Sequence, residues 1–354
     1  MKILHVLDVE IVKSNGVVSS MLNSLQGLKK YSDVAIYNLN KEISVEDIDV
    51  YDYSMYSNIF QLPNGYNKPD LVIFNEVYKV KYIKLYRECL KNEMKYIIIP
   101  HGCLTYESQN QKKMKKVIGN IIFFNRFIKK AAAVQFLNES EKNKSNFIYQ
   151  KSLIISNGIT LNKNFALEKK YNNNLIYVGR YSVYTKGLDL LVDVCYSNKE
   201  WFEKNDVKIE MYGTGVEKEI SKLKGIIKRY KINNIIKLNG PIYGKEKQET
   251  LKKSYCFIQL SRHEGQPMGI IEALSLGLPC ICTNQTNFGN YVKDNNCGFG
   301  CRFNKDEVFE SIQQIYSDHR MRNIFSSNAV KSICRDFSCD TIAKQTIQEY
   351  KKML

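Results

Sequence analysis

The stretch "CFIQLSRHEGQPMGIIEALSLGLPCICTN", residues 256–284, decides the fold. "CFIQLSR" is a short apolar run that reads as a buried strand, "GIIEALSLG" as a helix, and "PCICTN" as a second strand. Strand, helix and strand in succession is the unit of a parallel sheet. The joint between the first strand and the helix holds Gly265, Gln266, Pro267, Met268 and Gly269, with Glu264 before it and Glu272 after it. Glycine lets a backbone approach a ligand closely, and proline suits a first helical turn. The N–H groups of such a helix start, with the dipole behind them, form an anion site that fits a diphosphate. Glu264 falls ahead of the helix and Glu272 roughly one turn into it, so the two acids can point at different parts of one extended ligand. Such a pair can act as general acid and base, or as two clamps on sugar hydroxyls. The plain alternative is a helix cap and a surface glutamate.

The same alternation runs through the whole chain. "KILHVLDV" (2–9), "SDVAIYNLN", "DLVIFNEV" (70–77), "MKYIIIPHG" (94–102), "AAAVQFLNES" (131–140) and "SLIISNGI" (152–159) read as strands, with helical periodicity from about Val17 to Lys29 and in "VKYIKLYRECLKN". The pattern restarts with the strand "NLIYVGRY" (174–181), the helix "KGLDLLVDVCY" and the strand "DVKIEMYGTG" (206–215). The expected class is therefore α/β, two Rossmann-like doubly wound domains with parallel sheets facing across a cleft. Asn157-Gly158 is a turn dipeptide followed by a polar stretch, which places the joint there. The expected domains are 1–160, 161–336 and a final helical segment, 337–354, that can return to the first domain. Ligands in such sheets sit beyond the carboxyl ends of strands.

With 354 residues, 44% of them hydrophobic and 25% charged, the chain is an ordinary foldable one with two domains as the default. No apolar run reaches the ~18 residues of a membrane span. "MKILHVLDVE" reads as a first strand and not as a secretory signal, so a cytoplasmic protein is expected. The ten cysteines are scattered, and Cys280 and Cys282 in an apolar run read as buried reduced thiols. The four histidines, His5, His101, His263 and His319, are not paired at metal-ligand spacing, so no metal is expected. The formal net charge of +16 suits a phosphate-bearing partner of some kind, or reflects lysine-rich composition alone.

Three further motifs carry chemistry. In "VGRYSVYTKGLDLL" (178–191), Arg180 ends a strand and Lys186 precedes a helix, and two cations a short loop apart can reach one diphosphate. They can equally be solvated. In "KSNGVVSSML" (13–22), Gly16 follows Asn15 at a helix start, without the spacing of a dinucleotide fingerprint. In "IIIPHGCLTYES" (97–108), His101 follows a buried strand directly; a lone histidine is more often structural, but the strand end is where ligands bind.

Taken in order, these motifs resemble glycosyltransferase family 4, a retaining family with the GT-B fold. The resemblance is specific from about Tyr177 to Gly300, through "MYGTG" (211–215), "LNGPI" (238–242) and the Glu-x7-Glu pattern of Glu264 and Glu272, and looser through "PHGCL", "FLNESEK" and "SNGI". It implies that Glu264 contacts the transferred sugar and Glu272 the ribose. Arg180 and Lys186 would grip the diphosphate with the backbone of Gly265 to Gly269. Gly16 would admit the donor phosphates, His101 would lie beside the sugar, and the loops at Gly213 and Gly240 would border the base. It implies no metal and no cofactor beyond the nucleotide-sugar donor, UDP-linked by preference. Asn15 in place of a second glycine, and Gln266 in place of an aromatic residue, depart from the family's pattern and bear on donor preference.

The expected function is transfer of a sugar from that donor to a saccharide or lipid-linked acceptor in cell-surface polysaccharide synthesis. An epimerase on the same fold is the alternative, short of the acid and base residues it needs. A nucleic-acid binder is a weaker one, because no nucleic-acid motif is present. Residues 110–130 combine lysines with Ile121, Ile122, Phe123, Phe124, Phe127 and Ile128. Such a segment can lie on an anionic membrane, giving a peripheral position on the inner face. The competing expectation, favoured for the apolar residues, is a helix packed on the first sheet with its lysines in water.

Overall fold

The computed structural model describes residues 1–9, 16–40, 45–161 and 171–354. They form two units, Met1–Thr160 with Ser338–Leu354, and Leu161–Phe337.

The first unit holds seven parallel strands: β1 (Lys2–Leu7), β2 (Asp33–Asn38), β3 (Asp49–Asp52), β4 (Leu71–Asn75), β5 (Tyr96–Ile99), β6 (Ala133–Phe136) and β7 (Ser152–Ile154). Their order is β3-β2-β1-β4-β5-β6-β7. All of β4 and β5 is buried, as continuous apolar runs such as "LVIF" require of strands covered on both faces. One face packs Phe74, Tyr82, Tyr86, Tyr96 and Phe127 into an aromatic cluster. The other takes helix Gly16–Leu28 and helix Cys339–Lys351, through Met21, Leu25, Ile342, Ile347 and Tyr350. Gly27 makes that approach possible, because a Cβ there would land on the Cys339 carbonyl oxygen. The segment 337–354 thus yields a helix packed within the first unit.

The second unit repeats the scheme with β8 (Asn174–Val178), β9 (Lys208–Tyr212), β10 (Ile236–Asn239), β11 (Cys256–Gln259), β12 (Cys280–Thr283) and β13 (Gly298–Cys301), in the order β10-β9-β8-β11-β12-β13. All pairs are parallel. Chain order reverses between β8 and β11, the switch point at which such sheets open a crevice. All ten cysteines are free; Cys280 and Cys282 are buried, and burial pushes their thiols up.

The basic segment is not one helix packed by its apolar face. Helix Lys113–Gly119 runs into a π-helical turn, Asn120–Phe124, and then helix Asn125–Lys130. The wide turn breaks the 3.6-residue register. Phe124, Phe127 and Ile128 are buried against the sheet, whereas Met114 is 78%, Ile121 74% and Ile122 58% exposed. The packing expectation therefore holds for the end of the segment and fails for its middle. Among the described residues no helix is long and apolar enough to cross a membrane.

Candidate active site

Two loops flank the switch point of the second sheet. The first leaves β8 at Gly179 and reaches helix Leu188–Ser197. Tyr177 donates its hydroxyl to the Arg180 carbonyl (2.8 Å), and the Tyr181 hydroxyl lies 2.7 Å from both the Met211 and the Asn239 carbonyl, which share its one proton. These tyrosines hold the turn in which Arg180 is exposed and Lys186 partly buried. The second loop leaves β11 and ends at helix Met268–Ser275, whose start at Pro267 has no side-chain cap among the described residues. Gly265 has open space where a Cβ would stand, so its backbone is approachable. Gln266 and Met268 are partly exposed beside buried Pro267.

Gly269 serves a different end from the close ligand approach its position suggests. A Cβ there would stand 3.2 Å from both Gln259 Oε1 and Phe257 Cζ, so glycine seats the helix on β11. Likewise a Cβ at Gly213 would land on the Gly179 carbonyl, and the Gly213 N–H donates to the Gly240 carbonyl (3.2 Å). These glycines pull the loops after β8, β9 and β10 together. Gly240 itself faces open space.

The loops converge on Glu264. Its Oε1 accepts from Lys186 Nζ (2.5 Å), Ser261 Oγ (2.6 Å) and Gln259 Nε2 (2.7 Å). The Glu264 carbonyl accepts from Asn287 Nδ2 (2.7 Å). An ionised carboxylate accepts several such bonds and is fixed by them. Glu272 sits one turn into the helix and pairs with Lys247 of helix Gly244–Lys253. Arg262 ties the two loops: its N–H donates to the Thr185 carbonyl (2.9 Å), and its guanidinium binds Asp189 through two bonds of 2.8 Å. It also lies 4.2 Å from the ring centres of both Tyr184 and Phe303. Sequence spacing singled out Glu264, Glu272, Arg180 and Lys186; the structure brings Lys186 onto Glu264, sets Glu272 one turn into the helix and leaves Arg180 exposed on the first loop. Sequence spacing missed Gln259, Ser261, Lys247 and the Arg262–Asp189 clamp, whose partners come from distant positions; only the strand-end place of Gln259 and Ser261 signalled them.

The first unit holds His101 and Gly16. Gly16 opens helix Gly16–Leu28, while Lys13, Ser14 and Asn15 of its motif lie outside the described residues. His101 follows β5 in a left-handed conformation, φ 49°, with Gly102 at φ 84°. Buried Glu141 holds that turn, accepting from the Gly102 N–H (2.5 Å) and the Leu137 N–H (2.8 Å). Asn75, at the end of β4, joins two histidines: its Oδ1 is 3.2 Å from His101 Nε2 and its Nδ2 is 3.4 Å from His5 Nδ1. That amide orientation puts the proton on His101 Nε2 and leaves His101 Nδ1 as an acceptor. Burial pushes His101 down to about 4 and His5 to about 3, the latter helped by the neighbouring His101. Both rings are neutral at pH 7.

Residues 159–332 match the family described as glycosyl transferases group 1. The chain is 35% identical over 88 residues to the UDP-Gal:alpha-D-GlcNAc-diphosphoundecaprenol alpha-1,3-galactosyltransferase of Escherichia coli, covering 25% of this chain and 23% of that one. It is 27% identical over 188 residues to the amylovoran biosynthesis glycosyltransferase AmsD of Erwinia amylovora, covering 52% and 50%. The matched stretches thus span 23% and 50% of those relatives' lengths. Among solved structures, Anabaena HepE in complex with UDP and glucose aligns over 99% of this chain and 100% of its own, with TM-score 0.75 and 15% identity.

Proposed function

The second unit belongs to the glycosyl transferases group 1 family and the chain has the GT-B fold; on that premise we propose that it is a retaining glycosyltransferase using a nucleotide-diphosphate sugar. The observation that carries the reading is the convergence at the β8–β11 switch point: an uncapped helix start, Lys186 bound to Glu264, and Glu272 one turn on.

The diphosphate lies against the backbone of Gly265 to Gly269, with Arg180 and Lys186 on its oxygens. Glu264 binds hydroxyls of the transferred sugar, held in place by Gln259 and Ser261. Glu272, held by Lys247, takes the ribose hydroxyls. The bond from the anomeric carbon to the phosphate oxygen breaks, and Arg180, Lys186 and the helix start stabilise the departing charge. The acceptor oxygen bonds to the anomeric carbon on the same face, and its proton passes to the leaving phosphate. Loss of one such charge-stabilising donor typically costs about 2.7–4 kcal/mol of barrier. His101 lines the acceptor side as a neutral acceptor through Nδ1. No metal or cofactor is required in this scheme.

UDP is the favoured nucleotide, supported by the Anabaena structure in complex with UDP and by the UDP-Gal relative. A saccharide or a diphosphate-linked lipid saccharide is the favoured acceptor class, supported by the diphosphoundecaprenol relative and by the amylovoran enzyme. Cell-surface polysaccharide synthesis at the inner face of the membrane follows from that acceptor. The exposed ridge of Met114, Ile118 and Ile122, four residues apart and set among Lys112, Lys113 and Lys115, suits contact with an anionic membrane. Flotation with anionic liposomes checks this: binding at low salt that Ile118→Asp abolishes supports it, and no binding at low salt rules it out.

Slow hydrolysis of a panel of nucleotide sugars, followed as nucleotide release, tests the donor site. Glu264→Ala is expected to reduce sugar-dependent release by about 100- to 1,000-fold while sparing UDP affinity. Release at the parental rate from every donor contradicts the assignment.

A further inference from the structure

The exposed middle of the basic segment forms one wall of an apolar groove of about 470 Å³ in the first unit. Val117 and Ile121 line it from the helical segment, and Tyr106, Phe147, Ile148 and Leu104 line it from the other side. Ile148 is 76% and Tyr106 64% exposed, so apolar side chains stand at its rim. The wall away from the helical segment is tied together by two hydrogen bonds: the Tyr106 N–H donates to the Lys144 carbonyl (2.9 Å), and Ser145 Oγ donates to the Leu104 carbonyl (3.2 Å). None of the lining residues is acidic, and Lys129 and Lys144 add two cations, the latter 3.6 Å from the exposed Glu107. Leu104 belongs to the same turn as His101, whose Gly102 carbonyl accepts from the Thr105 N–H (3.3 Å).

A groove of this volume has the size of a small-molecule site, and monomer surfaces rarely leave so much apolar side chain in water without a use. The combination here is an apolar channel, cations at its edge, and an adjoining lysine-flanked ridge suited to a bilayer. Membrane anchoring alone needs the ridge and not the channel. We propose that the groove binds the isoprenoid chain of a polyisoprenyl-diphosphate-linked acceptor, with Lys129 on the diphosphate and the saccharide directed toward the His101 turn. This rests on the lipid-linked acceptor reading above and names the residues that would read the lipid. The π-helical turn at Asn120–Phe124 is what makes the channel, because it turns Ile121 out of the sheet-facing row that Phe124 and Phe127 occupy.

Calorimetry on the whole chain, with UDP at saturation so that the donor site is filled, tests the proposal. Farnesyl diphosphate, isopentenyl diphosphate and inorganic diphosphate are the probes. Each buried methylene is worth about four-fold in affinity, so farnesyl diphosphate is expected to bind at least about ten-fold tighter than the five-carbon probe. Ile121→Asp and Ile148→Asp, on opposite walls and both exposed, should each reduce that preference to within about two-fold. Lys129→Ala should weaken both isoprenyl probes and leave their ratio. Equal affinity for the two chain lengths overturns the proposal, as does a preference that survives both aspartate variants. Binding to anionic vesicles without any chain-length preference also overturns it, leaving only a membrane dock. Failure of UDP to bind the parent chain contradicts the donor-site reading instead, and the chain-length comparison is then read without it.

Discussion

Glu264 Oε1 takes three hydrogen bonds from three positions, and each donor has a separable part. Lys186 supplies charge, so Lys186→Ala should remove the partner of Glu264 and, with it, the proposed diphosphate contact; turnover is expected to fall by about 100-fold or more. Gln259 and Ser261 supply only orientation, and Gln259→Leu should lower kcat with little change in UDP affinity. A Gln259→Leu enzyme with parental kcat contradicts that role. The histidines of the first unit make a pH prediction. Their folded pKa values, about 4 for His101 and about 3 for His5, lie below the unfolded value, so the unfolded chain binds more protons between those values and about 6.5. Stability is therefore undiminished above pH 6.5 and falls as pH drops through 6 toward 4, by up to about 1.4 kcal/mol per pH unit for buried His5. Thermal melts from pH 7.5 to 4.5 check this: His5→Gln should flatten the slope, and an unchanged slope contradicts the account. At this scale the sequence displayed the two glutamates and the two cations, because the members of each pair are separated by only one short loop. It did not display Asn75, Glu141 or Lys247, since nothing in the chain announces which distant side chain a fold will bring to a carboxylate or an imidazole.

The elements around the site are loops made rigid. Arg262 is stacked between Tyr184 and Phe303 and bound bidentately to Asp189, so it fixes the loop after β8 against the loop after β11. A lysine keeps the charge and loses the fork. Arg262→Lys should displace Lys186 from Glu264 and reduce turnover on the order of ten- to a hundred-fold, with the fold intact by circular dichroism. Parental turnover would mean that the loops hold their places without it. Gly269→Val pushes a branched side chain onto Gln259 and Phe257, and should lower both stability and kcat through Gln259. Most strands of the sheets were legible because buried parallel strands are short apolar runs between turn residues; the edge strands Asp49–Asp52 and Gly298–Cys301 were not read, since "DVYD" and "GFGC" carry no such run. The basic segment was half legible: its apolar residues are visible in sequence, but a π-helical turn has no residue signature, and that turn decides which of them face water.

Across the whole chain, two sheets with the same reversal of strand order place the expected site loops at a switch point, and this follows from the repeated strand–helix pattern. The final helix, Cys339–Lys351, is part of the first unit's core: Tyr350 donates to Gln135 (2.6 Å) and Ile342, Ala343 and Ile347 are buried. Truncation after residue 338 should unfold the first unit, exposing it to protease, while the second unit keeps its fold and UDP affinity. Resistance of residues 1–160 to proteolysis after that truncation contradicts this. The decisive measurement is a crystal structure with UDP. The account predicts the diphosphate against the backbone of Gly265 to Gly269, with Arg180 or Lys186 on its oxygens and the ribose hydroxyls on Glu272. UDP bound away from the start of helix Met268–Ser275, touching neither cation, would contradict it.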